Sequence, residues 1–206
     1  MEMEKKDLRR FFAEKRKSIS AEQRQSFDRA IRQNLRELPV FTESACVAAF
    51  CPLGAEPDLL PVLGEKRLFL PRFAEEQQAY ELVEVTDLQK DLVTGRYKIA
   101  EPRPELEKAD WDFVRAEVLF LVPAVAYDRR GVRLGRGGGF YDRMLCAVAK
   151  PPVGVVYSCQ IGEGLPLCSH DVPVGWVVTE SEVINCLMER QVLSGQGEED
   201  GWRNRE

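Results

Sequence analysis

From residue 4 onward the chain sets apolar side chains at helical spacing. Leu8, Phe11 and Phe12 share a face of "KKDLRRFFAEKRKSIS", and Phe27, Ala30, Ile31, Asn34, Leu35 and Leu38 follow the same period. Between the two runs "SAEQ" puts Ser20 at an N-cap and Gln23 three residues later, a capping-box signature. Pro39 ends the second run, so residues 4 to 38 predict two helices.

The pattern changes at residue 46. Short apolar runs, "CVAAFC", "RLFLP", "YELVEV", "EVLFLVP", "VGVVYS" and "VGWVVTE", read as strands. The unbroken "EVLFLVPAVAY" predicts central strands covered on both faces, as in parallel sheets. "PDLLPVLGE" and "FYDRMLCAVAK" read as crossover helices. The expected fold class is α/β: a single domain with a mainly parallel central sheet flanked by helices and an N-terminal helical arm. The domain is expected to span 1–195. Residues 196–206, polar and glycine-containing, are expected to be a frayed tail.

Charge narrows the function classes. The 206 residues carry a net charge of -5, which argues against a nucleic-acid protein acting through its overall field. No stretch approaches the roughly 20 apolar residues of a membrane helix, and "MEMEKKDLRR" lacks the apolar run of a secretory signal. A cytoplasmic protein without membrane or nucleic-acid partners is expected. Six cysteines form no CxxC pair and His170 is the sole histidine, so a zinc site is not expected. The thiols read as reduced and mostly buried.

Positive charge is local. "GVRLGRGGGFYDR", residues 131 to 143, holds five glycines and three arginines. With Arg129 and Arg130, five arginines face Asp128 and Asp142, a surplus of three. The segment follows the strongest strand and precedes a helix-like run, an arrangement that presents backbone N–H groups and a helix N-terminus to an anion. Glycine permits positive φ and lets main chain approach a phosphate. Arginine supplies forked donors that match phosphate oxygens. A plain turn, or an RGG-type RNA contact, is the competing reading, but RGG segments repeat within basic disordered tracts and this one stands alone in an acidic chain. GxxxxGK[ST] and GxGxxG are both missing, so neither a P-loop nor a dinucleotide fold is supported. Lys5 and Arg9, four apart on one helix face, add a second cationic cluster suited to a polyphosphate.

"KKDLR", "RLGRGGGFYDR" and "HDVPV" followed by "VVTE" occur in the order in which the 5-formyltetrahydrofolate cyclo-ligase family carries them. "AEPDL", "LFLPR", "YKIAEP" and "VYSCQ" fit between, and the chain resembles that family over roughly residues 5 to 180. The resemblance implies ATP as co-substrate, Mg2+, and ring closure of 5-formyltetrahydrofolate, possibly polyglutamylated, by a monomer. It implies an ATP site from Lys5, Lys6, Asp7, Leu8 and Arg9 and from Arg133, Leu134, Gly135, Arg136, Gly137, Gly138, Gly139, Phe140 and Tyr141. It implies folate contacts from Arg9, Glu56, Tyr97, Arg136, the three consecutive glycines and Phe140. Asp142 and Asp171 are the implied metal ligands and Arg136 the implied catalytic residue. A binding homologue without catalysis is the alternative.

Taken from the residues alone, Glu56 before Pro57 also fits a helix cap, Tyr97 a loop anchor and Asp171 a turn. The chain departs from the family pattern at Gly175, where an aspartate is common, at Phe140, where tyrosine is frequent, and at Gly138, a lysine in some members. The missing carboxylate at 175 is expected to weaken metal binding.

Overall fold

A computed structural model describes residues 4–95 and 98–194. The two expected helices are α1, Lys5–Lys17, and α2, Ala21–Glu37. Ser20 accepts the Gln23 N–H at 3.1 Å and the Gln23 side chain accepts the Ser20 N–H at 3.0 Å, closing the capping box. Such a cap stabilises by about 1 kcal/mol. Leu38 leaves the helical region, and Pro39 opens a separate short helix, α3, Pro39–Thr42, at the position where its missing N–H costs nothing.

Among the described residues the strands in chain order are β1 Cys46–Ala48, β2 Arg67–Ala74, β3 Ala79–Val85, β4 Leu92–Thr94, β5 Ala100–Pro102 and β6 Leu119–Pro123. They continue as β7 Ala126–Asp128, β8 Arg133–Leu134, β9 Val153–Val155, β10 Ile161–Gly162, β11 Trp176–Val178 and β12 Val183–Asn185. The main sheet has the order β12-β11-β9-β6-β1-β2-β3. Its inner pairs are parallel, and β3 and β12 close the edges antiparallel. The mainly parallel sheet is therefore as expected.

Alternation along the inner strands serves both faces. Val47, Leu119 and Leu121 meet Ile31 and Leu35 of α2 on one side. Ala48, Phe120 and Val122 meet Val114 and Leu145 on the other, contributed by α4, Trp111–Glu117, and α5, Phe140–Leu145. A strand buried on both faces has no polar side to show, hence the unbroken apolar runs.

Three expectations change. "PDLLPVLGE" forms only a 3-10 turn at Leu60–Val62, because two prolines and a glycine leave too few residues free to be helical. "EVLFLVPAVAY" divides at Pro123, and its second half, β7, pairs with β8 and β10 in a small separate sheet. Of the thiols, all free, Cys46, Cys51 and Cys186 are buried, Cys159 and Cys168 half-buried and Cys146 exposed, so burial holds for half of them. The hairpin β4–β5, the strand β12 and the helices α4 and α6, Cys186–Ser194, were not anticipated. The expected frayed tail, 196–206, lies outside the described residues. No helix among the described residues is long and apolar enough to cross a membrane.

The topology dictates where a ligand can enter. From β1 the chain moves to β2 on one side and later returns as β6 on the other, so the order reverses between two adjacent parallel strands. The crevice outside the carboxyl ends of such a strand pair is the usual ligand position in open α/β sheets.

Candidate functional site

A cavity of about 710 Å³ opens at that reversal point. Residues just past β1 (Phe50, Cys51, Leu53, Glu56) and past β6 (Pro123, Ala124) form its floor. The glycine loop between β8 and α5 and the first turns of α1 form one wall, and β2, β3 and β5 supply the opposite one through Pro71, Tyr80 and Glu101.

The loop wall is cationic. Arg9 donates from Nε to the Gly135 carbonyl at 2.8 Å, tying α1 to the loop. Lys5, one turn earlier, places Nζ 3.0 Å from Asp171 Oδ2 and 3.2 Å from Cys168 Sγ. Partial burial works against the Lys5 charge, yet the hydrogen bonds to Cys168 and Asp171 outweigh it and raise its pKa. Burial likewise opposes the Asp171 charge, but the Cys168 N–H and Lys5 prevail and hold its carboxyl below the ordinary value. Arg133, with only 6% of its side chain exposed, pairs with Asp142 Oδ2 at 2.7 Å, and its buried Nε has no partner among the described residues. Arg129 and Arg130 are spent elsewhere, on Glu182 and Glu189 and on Asp128, and Arg143 stacks on Phe140 without lining the cavity, so three of the five arginines counted in the sequence leave the site.

Gly137 at φ +103° and Gly139 at φ +64° hold dihedrals that side-chain-bearing residues resist. The N–H groups of Gly137, Gly138 and Gly139 meet no acceptor among the described residues. Three free amides in one bend form an anion-binding concavity. The helix behind them, α5, has six residues, so these amides rather than a long helix dipole are the donors. A Cβ at Gly138 would stand 2.6 Å from the Phe140 ring, so the glycine there goes with the aromatic ring that follows it.

Aromatic rings lie beside the loop. Tyr80 and Phe140 meet edge to face at 5.0 Å, and Phe73 joins them at 5.3 and 6.1 Å. Arg136 Nη2 lies 2.6 Å from Glu56 Oε1, and the Leu53 N–H donates to Glu56 Oε2 at 2.9 Å. Arg16 approaches the same carboxylate at 3.8 Å, its buried Nη1 without a hydrogen bond. Burial is the main influence on Arg16 and lowers its pKa.

The sequence-predicted residues divide accordingly. Lys5, Arg9, Glu56, Arg133 through Tyr141, Asp142 and Asp171 line the one cavity. Lys6 is exposed, Asp7 pairs with Arg10 on the solvent side, and Leu8 packs against Phe12 and Leu134. Helical geometry requires this, since only every third or fourth residue faces one way. Tyr97 lies outside the described residues. Gly175 does not line the cavity: a Cβ there would press on that of Pro151 at 2.7 Å, so the expectation that a lost carboxylate weakens metal binding finds no support in its position. Arg16, Tyr80 and Glu101 were missed. Arg16 sits seven residues after Arg9, on the same helix face, a spacing that could have found it. Tyr80 and Glu101 reach the cavity only through strand pairing, which leaves no local trace.

A sequence model of the 5-formyltetrahydrofolate cyclo-ligase family matches residues 1–180. The 5-formyltetrahydrofolate cyclo-ligase of Escherichia coli is 33% identical over 178 residues, which cover 82% of this chain and 97% of that protein. The protein of the same name from Mycolicibacterium smegmatis is 32% identical over 193 residues, covering 89% and 97%. The solution structure of 5,10-methenyltetrahydrofolate synthetase from Aquifex aeolicus superposes with a TM-score of 0.78 at 36% identity, covering 98% of this chain and all of that one.

Proposed function

The chain belongs to the 5-formyltetrahydrofolate cyclo-ligase family, and on that premise we propose that its cavity converts 5-formyltetrahydrofolate and ATP to 5,10-methenyltetrahydrofolate, ADP and phosphate. One observation carries the residue assignment: the amide-bearing glycine loop with its cations, the Tyr80–Phe140 ring pair and the Arg136–Glu56 ion pair all line a single cavity.

The triphosphate takes the free amides of Gly137 to Gly139, with Lys5, Arg133 and Arg136 as its charged partners. The reduced pterin takes the Phe140 and Tyr80 rings, where flat apolar surface is on offer. Arg9, bound to the loop carbonyl, ties α1 to the phosphate-binding loop. The formyl oxygen, a poor leaving group, attacks the γ-phosphorus and displaces ADP; N10 then attacks the activated carbon and gives up its proton, and phosphate departs with that oxygen to leave the methenyl bridge. Phosphoryl transfer asks mainly for alignment and charge neutralisation. Arg136 supplies both, since its half-exposed guanidinium can exchange Glu56 for the transferred phosphoryl group.

The residues also fit magnesium bound with the nucleotide. Asp142 and Asp171 both line the cavity; each pairs Oδ2 with a cation, and Asp171 Oδ1 lies 3.7 Å from His170 Nε2. No three-ligand cluster occurs among the described residues. Magnesium is commonly held through one or two carboxylates together with substrate phosphates. Magnesium held there would neutralise negative charge on the nucleotide's phosphates.

Incubating the pure protein with ATP, magnesium and 5-formyltetrahydrofolate tests the proposal. Near-ultraviolet absorbance of the methenyl product should grow, and should fail to grow when ATP is omitted. A flat trace with all three present, from folded protein, refutes it.

A further inference from the structure

Four carboxylates line the cavity, and three already have cations. Glu56 has Arg136 and Arg16, Asp142 has Arg133, and Asp171 has Lys5. The fourth, Glu101, has no ion pair among the described residues. It is 7% exposed, and its one side-chain hydrogen bond among the described residues comes from the Phe73 N–H, 3.3 Å from Oε2. A carboxylate taken out of water without a cation or a full set of donors is costly, and side chains in that state are normally completed by something.

The surroundings say what. Glu101 lies on β5, whose side chain fills the space left by Gly95 across the hairpin; a Cβ at 95 would stand 2.6 Å from its Cδ. Its single donor belongs to Phe73, one of the three rings of the aromatic cluster. Cys51, a buried thiol, and Glu101 line the same cavity. An acceptor-only group beside flat aromatic surface fits a planar ligand edge carrying two parallel N–H donors. The aminopyrimidinone edge of a pterin has that pattern, in N3–H and the 2-amino group. The corresponding edge of adenine alternates an acceptor with a donor, so a carboxylate would meet a lone pair there.

We propose that Glu101 is the specificity residue for the pterin, pairing through its two oxygens with N3–H and the 2-amino group and thereby orienting the ring. This rests on the cyclo-ligase reading above. Charge-assisted hydrogen bonds of this kind shift binding by roughly 10- to 100-fold.

The test is calorimetric binding of 5-formyltetrahydrofolate and of its 2-desamino-2-methyl analogue, without nucleotide. Wild-type protein should prefer the parent by about 10- to 100-fold. Glu101→Ala should bind the parent more weakly by a similar factor and lose the preference, while MgATP affinity stays unchanged; Glu101→Gln, which keeps one acceptor, should fall between. Equal binding of the two folates by wild type, or a preference that survives in Glu101→Ala, overturns the inference. Should Glu101→Ala not fold, the wild-type comparison decides alone. A wild-type protein that binds no folate at all defeats the cyclo-ligase reading itself, a result distinct from binding without discrimination.

Discussion

Replacing Arg136 by alanine separates stability from chemistry in a calculable way. The substitution removes a 2.6 Å charge-assisted bond from Glu56, whose side chain is only 6% exposed. Breaking a fully buried pair costs about 3–5 kcal/mol. Here Arg136 is 52% exposed, and the Leu53 N–H and Arg16 stay on the carboxylate, so a loss of about 1–2 kcal/mol is expected. In a domain of this size each kcal/mol lowers Tm by about 2–4 °C, giving a fall of about 2–8 °C. The protein therefore stays folded at assay temperature. Turnover should drop far more, by about 100- to 1000-fold, the usual consequence of deleting one donor to transition-state charge. Circular dichroism melts check the first number and methenyl absorbance at saturating substrates the second. Arg136→Lys should recover part of the rate, because it restores charge without the planar fork. An Arg136→Ala protein turning over within about threefold of wild type would show that the phosphoryl group is stabilised elsewhere.

Asp142→Asn should leave the buried Arg133 without a charge partner, destabilising by about 3 kcal/mol and raising the magnesium needed for half-maximal rate; an unchanged melt and an unchanged magnesium titration would each count against one half of that statement. The Lys5–Asp171 pair gives a pH test. Asp171 is depressed, so its contribution is present above the ordinary carboxylate pKa and is lost as pH falls through the folded value; Lys5 is raised, so its contribution is lost only as pH rises through a value above 10.5. The stability deficit of Asp171→Asn should thus be flat from about pH 7.5 to 9 and shrink below about pH 3.9; a deficit that changes between about pH 7.5 and 9 contradicts it. Alkylation tests the nucleotide site: MgATP should slow modification of Cys168, which touches Lys5, and leave exposed Cys146 unaffected. Equal protection of both, or of neither, would move the nucleotide away from Lys5.

Local patterns were legible and long-range ones were not. The helices α1 and α2 follow from their apolar period and from Ser20 and Gln23, all contained within a few turns. The parallel centre of the sheet follows from strands that must be apolar on both faces. The glycine loop could be read because its dihedral needs and its charge sit in consecutive residues. The β7–β8 hairpin was hidden, since Pro123 divides an apolar run that composition alone makes continuous. The five arginines looked equivalent in sequence. Only the fold turns Arg129 toward Glu182 and Arg130 toward Asp128 while aiming Arg133 and Arg136 inward. Glu101 needed the pairing of β4 with β5, and the contact of β5 with β2, before its isolation from cations could be seen.

The central claim is that the γ-phosphoryl group of ATP, held at the glycine loop, passes to the formyl oxygen of a folate lying against Phe140 and Tyr80. Single turnover with 5-formyltetrahydrofolate labelled with oxygen-18 in the formyl group measures this directly. The account predicts that the released phosphate carries the label. Unlabelled phosphate alongside full conversion to the methenyl product would mean that the oxygen leaves by another route, and the account would be wrong.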